Sequence, residues 1–309
     1  MKKRLLSTAK NSFYGVWYPC DDHDSSCAII LTLSDTSDNC LVRVAVKWIQ
    51  RRGLHVLAIS PEMKDAGRHN EPLEHIGRAI DFLTMQGCKK IGIFGASATG
   101  TVALLAASYY PQISLTIALT PADFVIEGYY RDGADGARER PANHESSVSW
   151  EGKPLPYLPY AYRHPEYWQK IKEESKASGN LIASRKMFDE SERLYPLSEA
   201  EKIKVERIQG KVVCIGAEDD VLWDTCKYIQ RMQQRINELP HTCDFECFTY
   251  KHGTHFVFPE SMIRLLFPIG SDLIVRLIFK AARKYPKACR ETRLDIDRKL
   301  TRVLNDWSR

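Results

Sequence analysis

The segment Ile91-Gly92-Ile93-Phe94-Gly95-Ala96-Ser97-Ala98-Thr99-Gly100 runs from a short apolar stretch into a Gly-Ala-Ser turn and out among small residues. The pattern predicts a strand over residues 90–94 and an Ala- and Leu-rich helix over 98–109. A Ser between the two is the setting of a nucleophile elbow. That turn is strained, and small neighbours two residues away let strand and helix close on each other. Gly95 meets the upstream requirement. Downstream, Thr99 stands where Gly is usual and Gly100 comes one place late, so GxSxG is met approximately. The plain alternative is a Gly-rich βα turn or a weak phosphate loop.

The same alternation extends on both sides. Residues 12–18 read as a strand. AIILTL at 28–33, bounded by Ser34, Asp35, Thr36 and Ser37, reads as a strand buried on both faces. Apolar positions 41, 42, 45, 46 and 49 form a helical stripe that Gly53 stops. Further strands are expected at 55–59 and 114–119, with a helix at 73–85. After a break the rhythm resumes with strands at 211–215 and 244–250 and helices at 223–238 and 271–283. Repeated βα units predict an α/β, doubly wound, mainly parallel sheet.

The break itself spans residues 128–206 and is rich in charge, Pro, Tyr and Ser, without clear strands. Such a stretch inside a compact domain reads as an inserted cap or lid. Its aromatics (Tyr157, Tyr160, Tyr162, Tyr167, Trp168) favour an ordered one. A single domain over 1–309 with a charged amphipathic tail at 286–309 completes the expected organisation; the tail has a face to set against its own domain or a partner.

Composition narrows the function. The 309 residues are 44% hydrophobic with a net charge of +5, too apolar for disorder and too evenly charged for nucleic-acid binding. No stretch approaches the length of a membrane span, and the N-terminal residues lack the apolar core of a signal peptide, so a cytoplasmic protein is expected. The nine cysteines show no CxxC pair. They read as reduced thiols, with neither a metal site nor a cofactor implied. The expected partner is a small molecule, and a homo-oligomer is compatible with the sequence.

Chemistry enters through residue order. In folds with an elbow the triad runs Ser, acid, His. Residues 212–220, VVCIGAEDD, are a strand running into an acidic turn, and Asp219 or Asp220 can orient an imidazole there. The competing use of either is to cap the next helix. Beyond the last strand, His252 and His255 in YKHGTHF are candidate bases for Ser97. Spacing alone leaves both pairs open.

The stretches GIFGASATGTVALLAASYYPQISLTIALTPADFV, SVSWEGKPLPYLPY, KVVCIGAEDDVLWDT and YKHGTHFVFPE change this. Over residues 13–269 the chain resembles the α/β-hydrolase domain of the acyl-CoA thioesterase and bile acid-CoA:amino acid N-acyltransferase family, especially its bacterial single-domain members. In that family the acid stands three residues before a Trp, and the His lies five after a Tyr and four before a Pro. The resemblance therefore implies Asp220 (before Trp223) and His255 (after Tyr250, before Pro259). Thr99 departs from the family's Gly, and the N-terminal immunoglobulin-like domain of the animal enzymes has no counterpart in the strand pattern. The N-acyltransferases use Cys as nucleophile, so Ser97 points to hydrolysis.

The resulting expectation is a serine acyl hydrolase acting on an acyl-CoA-like thioester or an ester through Ser97, His255 and Asp220. The oxyanion would be held by the backbone N–H of Ala98 and by one from the loop after strand 28–33, with Asp35 and Thr36 as candidates. Two alternatives remain: a carboxylesterase or peptidase of the prolyl oligopeptidase or dienelactone hydrolase type, and a catalytically inactive ligand-binding homologue.

Overall fold

A computed structural model describes residues 3–21, 25–34, 36–61, 67–268 and 270–309. Its central sheet contains β1 (Arg4–Leu6), β2 (Tyr14–Tyr18), β3 (Cys27–Leu31), β4 (His55–Ser60), β5 (Lys90–Ala96), β6 (Ile113–Leu119), β7 (Lys211–Ala217) and β8 (Asp244–Tyr250). The spatial order is β1-β2-β4-β3-β5-β6-β7-β8. β1 and β2 are antiparallel to their neighbours, and from β4 to β8 every pair is parallel. The main helices are α1 (Cys40–Gln50), α2 (Glu74–Met85), α3 (Ala98–Tyr109), α4 (Glu166–Ser178), α5 (Arg185–Leu194), α6 (Thr225–Glu238), α7 (Glu260–Leu266), α8 (Ser271–Ile278), α9 (Lys280–Lys284) and α10 (Pro286–Ser308).

β3 explains why helices lie on both faces. All five residues of CAIIL are buried, and successive side chains point to opposite sides. Ala28 and Ile30 join a core layer with Ile76 and Ile80 of α2 and Leu104 of α3. Cys27, Ile29 and Leu31 join the opposite layer with Val42 and Trp48 of α1 and Ile296 and Leu300 of α10. A strand apolar on both faces needs two covers, and this one has them.

Three differences from the sequence-based expectation have local causes. β1 was not expected; it is a three-residue edge strand with two exposed residues and carries no periodic signal. The helix expected over 271–283 breaks at Phe279, whose φ of −117° and ψ of 127° are extended. There the Phe279 ring is buried beside Val275, Ala282 and Cys289. Finally, the stretch expected to lack strands contains two small sheets. Glu127–Tyr130 pairs with Arg140–Ser146, and Val148–Trp150 pairs with Lys153–Pro154 and Glu71–Pro72. These strands are short and polar, so backbone pairing rather than apolar alternation defines them.

The C-terminal helix packs on its own domain. Trp307 Nε1 donates to Ser114 Oγ at 2.9 Å, and Lys90 Nζ donates to the Trp307 carbonyl at 2.9 Å. Arg293, almost fully buried, donates from Nε to the buried Glu260 carboxylate at 2.9 Å. Among the described residues no helix is long and apolar enough to cross a membrane. None of the nine cysteines, all of them described, is joined in a disulfide.

Candidate active site

Ser97 sits between β5 and α3 with φ 57° and ψ −133°, a left-handed conformation that L side chains rarely adopt. The turn is held from both sides. The Ser97 N–H donates to the Leu119 carbonyl at 2.8 Å, and the Ser97 hydroxyl is not spent as a cap on α3. At Gly95 a Cβ would stand 2.1 Å from the Thr99 carbonyl oxygen, so no side chain fits. At Gly100 it would stand 2.9 Å from the Leu119 carbonyl oxygen, so this glycine lets α3 press against β6.

Thr99 is accommodated because its side chain has its own partners. Its hydroxyl accepts from the Ala96 N–H at 3.0 Å and donates to the Ala96 carbonyl at 2.8 Å. The Thr thus braces the turn at its base, while the small residue needed for helix packing is Gly100.

The acidic turn follows β7, two strands along from β5. Asp220 is buried, with Oδ2 2.8 Å from His255 Nδ1. The same Oδ2 accepts from the Thr225 hydroxyl at 2.6 Å, and Oδ1 accepts from the Leu222 N–H at 2.9 Å. Asp219 points elsewhere. Its Oδ1 accepts from the N–H groups of Gly253 and Thr254 at 3.0 and 2.7 Å, and its Oδ2 lies 3.2 Å from His252 Nδ1. Neither aspartate caps α6; Asp224 does so, accepting from the Lys227 N–H. His252 stacks on Tyr285 with centroids 3.9 Å apart, and neither it nor His255 is itself a lining residue of the cavity that holds Ser97.

His255 follows β8, so the serine and the Asp–His pair all leave the same edge of the sheet, at the carboxyl ends of its parallel strands. The imidazole packs edge-on against Trp223 at 5.5 Å. Its Nε2 is buried and has no hydrogen-bond partner among the described residues. Trp223 is fixed in turn by donating from Nε1 to the Thr120 carbonyl at 3.0 Å. It also lines a cavity of about 300 Å³ together with Ser97. The cavity is also lined by Tyr160, Tyr167, Trp168 and Phe188, all from the stretch between β6 and β7. Burial raises the Tyr160 and Tyr167 phenols well above their ordinary values, so both rings are neutral walls.

That wall is anchored by a buried charge. Glu127 is fully buried, accepts from the Tyr160 N–H at 2.6 Å and pairs with Arg163. The cavity's own charges, Arg131 and Glu139, face each other at 2.9 Å.

Ala98 is the first residue of α3, so its N–H has no acceptor within the helix. Of the other oxyanion candidates, Asp35 lies outside the described residues. Thr36 directs its N–H to Ser34 Oγ at 3.5 Å and does not line the cavity; Leu33 and Ser34 do. Sequence reasoning missed Ser34, Thr225 and the packing of Trp223 on His255. The hydroxyl residues carry no motif, and Trp223 served only as a spacing mark.

The family model described as BAAT / Acyl-CoA thioester hydrolase C terminal matches residues 72–262, more than half of the chain. No curated protein matches it. Among solved structures the chain is similar to an alpha/beta hydrolase enzyme from a Medee basin deep-sea metagenome library, at 11% identity and a TM-score of 0.56, over 100% of this chain and 98% of that one. It is also similar to a Pyrococcus furiosus esterase (14% identity, TM-score 0.51, 90% and 91% covered) and to a carboxylesterase from Lactobacillus plantarum WCFS1 (14%, 0.50, 98% and 98%). At these identities the likeness speaks for the fold, which is that of the α/β hydrolases.

Proposed function

The chain belongs to the BAAT / acyl-CoA thioester hydrolase C-terminal family of α/β hydrolases, and from that premise we propose that it hydrolyses an acyl thioester, of the acyl-CoA type, through Ser97, His255 and Asp220. The observation that carries the reading is the imidazole of His255. One nitrogen is paired with a buried carboxylate, and the other is buried and unpaired among the described residues, on a ring packed against Trp223, which lines the cavity that also holds Ser97. A buried polar atom without a partner is costly, and a general base awaiting a hydroxyl proton accounts for it.

In this mechanism His255 Nε2 takes the Ser97 hydroxyl proton as Oγ attacks the thioester carbonyl. Asp220 keeps the proton of Nδ1 in place and stabilises the imidazolium. The C–S bond then breaks, and His255 returns the proton to the departing thiolate. Water, deprotonated by the same nitrogen, hydrolyses the acyl-serine and frees the acid. The Ala98 N–H is one oxyanion donor. The second is assigned to the loop after β3, where the Ser34 hydroxyl accepts from Asn39 Nδ2 at 2.6 Å and keeps its own proton to give. Each such donor contributes about 10²–10³ in turnover.

The stretch 128–206 is proposed as the lid of a single-domain enzyme, its aromatic residues closing over the acyl chain. Turnover of acyl-CoA thioesters, p-nitrophenyl esters and aminoacyl amides tests the substrate, with thioesters expected to lead. Negligible thioester turnover beside rapid ester cleavage would replace this reading with a carboxylesterase. A fluorophosphonate should label the protein and spare Ser97→Ala. Folded protein that takes no label would be a binding protein instead.

A further inference from the structure

Three leucines stand exposed where the loop at 179–184 meets a cation-rich segment at 271–284. Leu273 and Leu277 are 60% and 64% exposed and lie four residues apart on α8, hence on one face. Leu181 is 71% exposed, and its N–H donates to the Ile278 carbonyl at 2.8 Å, which sets its loop against the end of α8. The next residue, Ile182, lines the cavity above Ser97.

The exposed charges within 271–284 are all cationic: Arg276 on α8, and Lys280, Arg283 and Lys284 on α9. Lys280 belongs to the leucine cluster: its N–H donates to Asn180 Oδ1 at 2.7 Å, one residue from Leu181. The single acid within 271–284, Asp272, is taken up by the buried Arg293 and lies 3.9 Å from Arg276.

We infer that this face docks on an anionic lipid surface. Exposed leucines among lysines and arginines match an interfacial amphipathic element: the apolar side chains enter the acyl boundary while the cations meet anionic headgroups. A protein partner would be met by a rim of mixed charge, whereas the exposed charges among the described residues of 271–284 are all cationic. Docking here brings Leu181, whose neighbour Ile182 lines the cavity, to the layer in which long-chain amphiphiles collect, and so suits a lipid-like acyl substrate. Only this last consequence rests on the proposed acyl hydrolysis.

Cosedimentation of the full chain with vesicles tests the docking without any assay of turnover. The comparison is phosphatidylcholine alone against a mixture one-third phosphatidylglycerol. The wild type should partition onto the anionic vesicles on the order of tenfold more strongly, and added salt should weaken that preference. Leu273→Glu/Leu277→Glu should abolish binding to both, and Lys280→Glu/Lys284→Glu should abolish only the anionic preference. Circular dichroism and thermal midpoints of both variants should match the wild type, and Ser97→Ala should bind as the wild type does. The inference is overturned by no binding, by equal binding to both vesicles, or by binding unchanged in the leucine variant. A wild-type dimer that the leucine variant dissociates in sedimentation velocity would also overturn it, because a second copy would then be the occupant.

Discussion

Asp219 and Asp220 are neighbours in sequence, yet their carboxylates hold different histidines: Asp219 lies 3.2 Å from His252 Nδ1 and Asp220 2.8 Å from His255 Nδ1. Asp220 is further saturated by Thr225 and Leu222, so its orientation does not depend on His255 alone. Asp220→Asn should therefore fold normally but present an amide to Nδ1 and favour the wrong tautomer. Turnover is expected to fall by about 10³–10⁴ with little change in KM, as for an orienting carboxylate in a triad. Steady-state kinetics checks this, and an unchanged kcat would remove Asp220 from the mechanism.

Asp219 holds the backbone of residues 253 and 254, immediately before His255, and Thr254 has a positive φ of 61°. Without the carboxylate that loop loses two acceptor bonds and the base loses its footing. Asp219→Ala should lower kcat by roughly tenfold at constant KM, in keeping with the sensitivity of catalysis to small misplacements. Asp219→Asn, which keeps one acceptor oxygen, should recover part of it. Equal losses in both variants would mean that the charge, not the loop geometry, matters.

The elbow predicts opposite outcomes at adjacent small residues. Gly95→Ala puts a methyl 2.1 Å from a backbone oxygen that cannot move without breaking α3, so the variant should not accumulate as soluble folded protein. Thr99→Gly restores the usual elbow residue but removes two hydrogen bonds and adds backbone freedom. It should lose about 1–3 kcal/mol by urea titration while retaining turnover.

Glu127 is a buried carboxylate whose removal leaves the Tyr160 N–H without that acceptor and Arg163, one-third exposed, with only the Ala142 carbonyl and His144 among the described residues. Leaving a buried donor unsatisfied costs about 1–3 kcal/mol. Glu127→Ala should thus show a fall in thermal midpoint, and any folded fraction should show a raised KM as the aromatic wall loosens. A KM equal to that of the wild type would argue against this wall as the acyl site.

Acid stability should depend on Asp295. The Lys299 ammonium first, with the Tyr250 hydroxyl and Arg298, holds its carboxyl at about 2, below the ordinary 3.8. A depressed folded value means that the contribution is complete above about pH 4 and fades as the pH falls toward 2. Asp295→Asn should be less stable than the wild type at pH 7 and 5, and the gap should narrow by pH 3. Urea midpoints at the three values would show it; a gap independent of pH would contradict the assignment.

Local residue order and periodicity are enough to specify part of this architecture. The buried strand CAIIL, the amphipathic α1 and the Gly-Ala-Ser turn state their structures through residue type alone, so a doubly wound sheet with an elbow serine was legible. The family resemblance narrowed two aspartates and two histidines to Asp220 and His255, whose side chains meet in the structure although 35 residues apart in sequence. Tertiary structure alone decided the rest. Short polar strands between Glu127 and Pro154 exist because distant backbones pair, and no side-chain period announces such pairing. The roles of Thr225, Ser34 and Trp223 arise from segments that meet only when the sheet closes, since a lone hydroxyl or ring acquires meaning from the neighbours it is packed against.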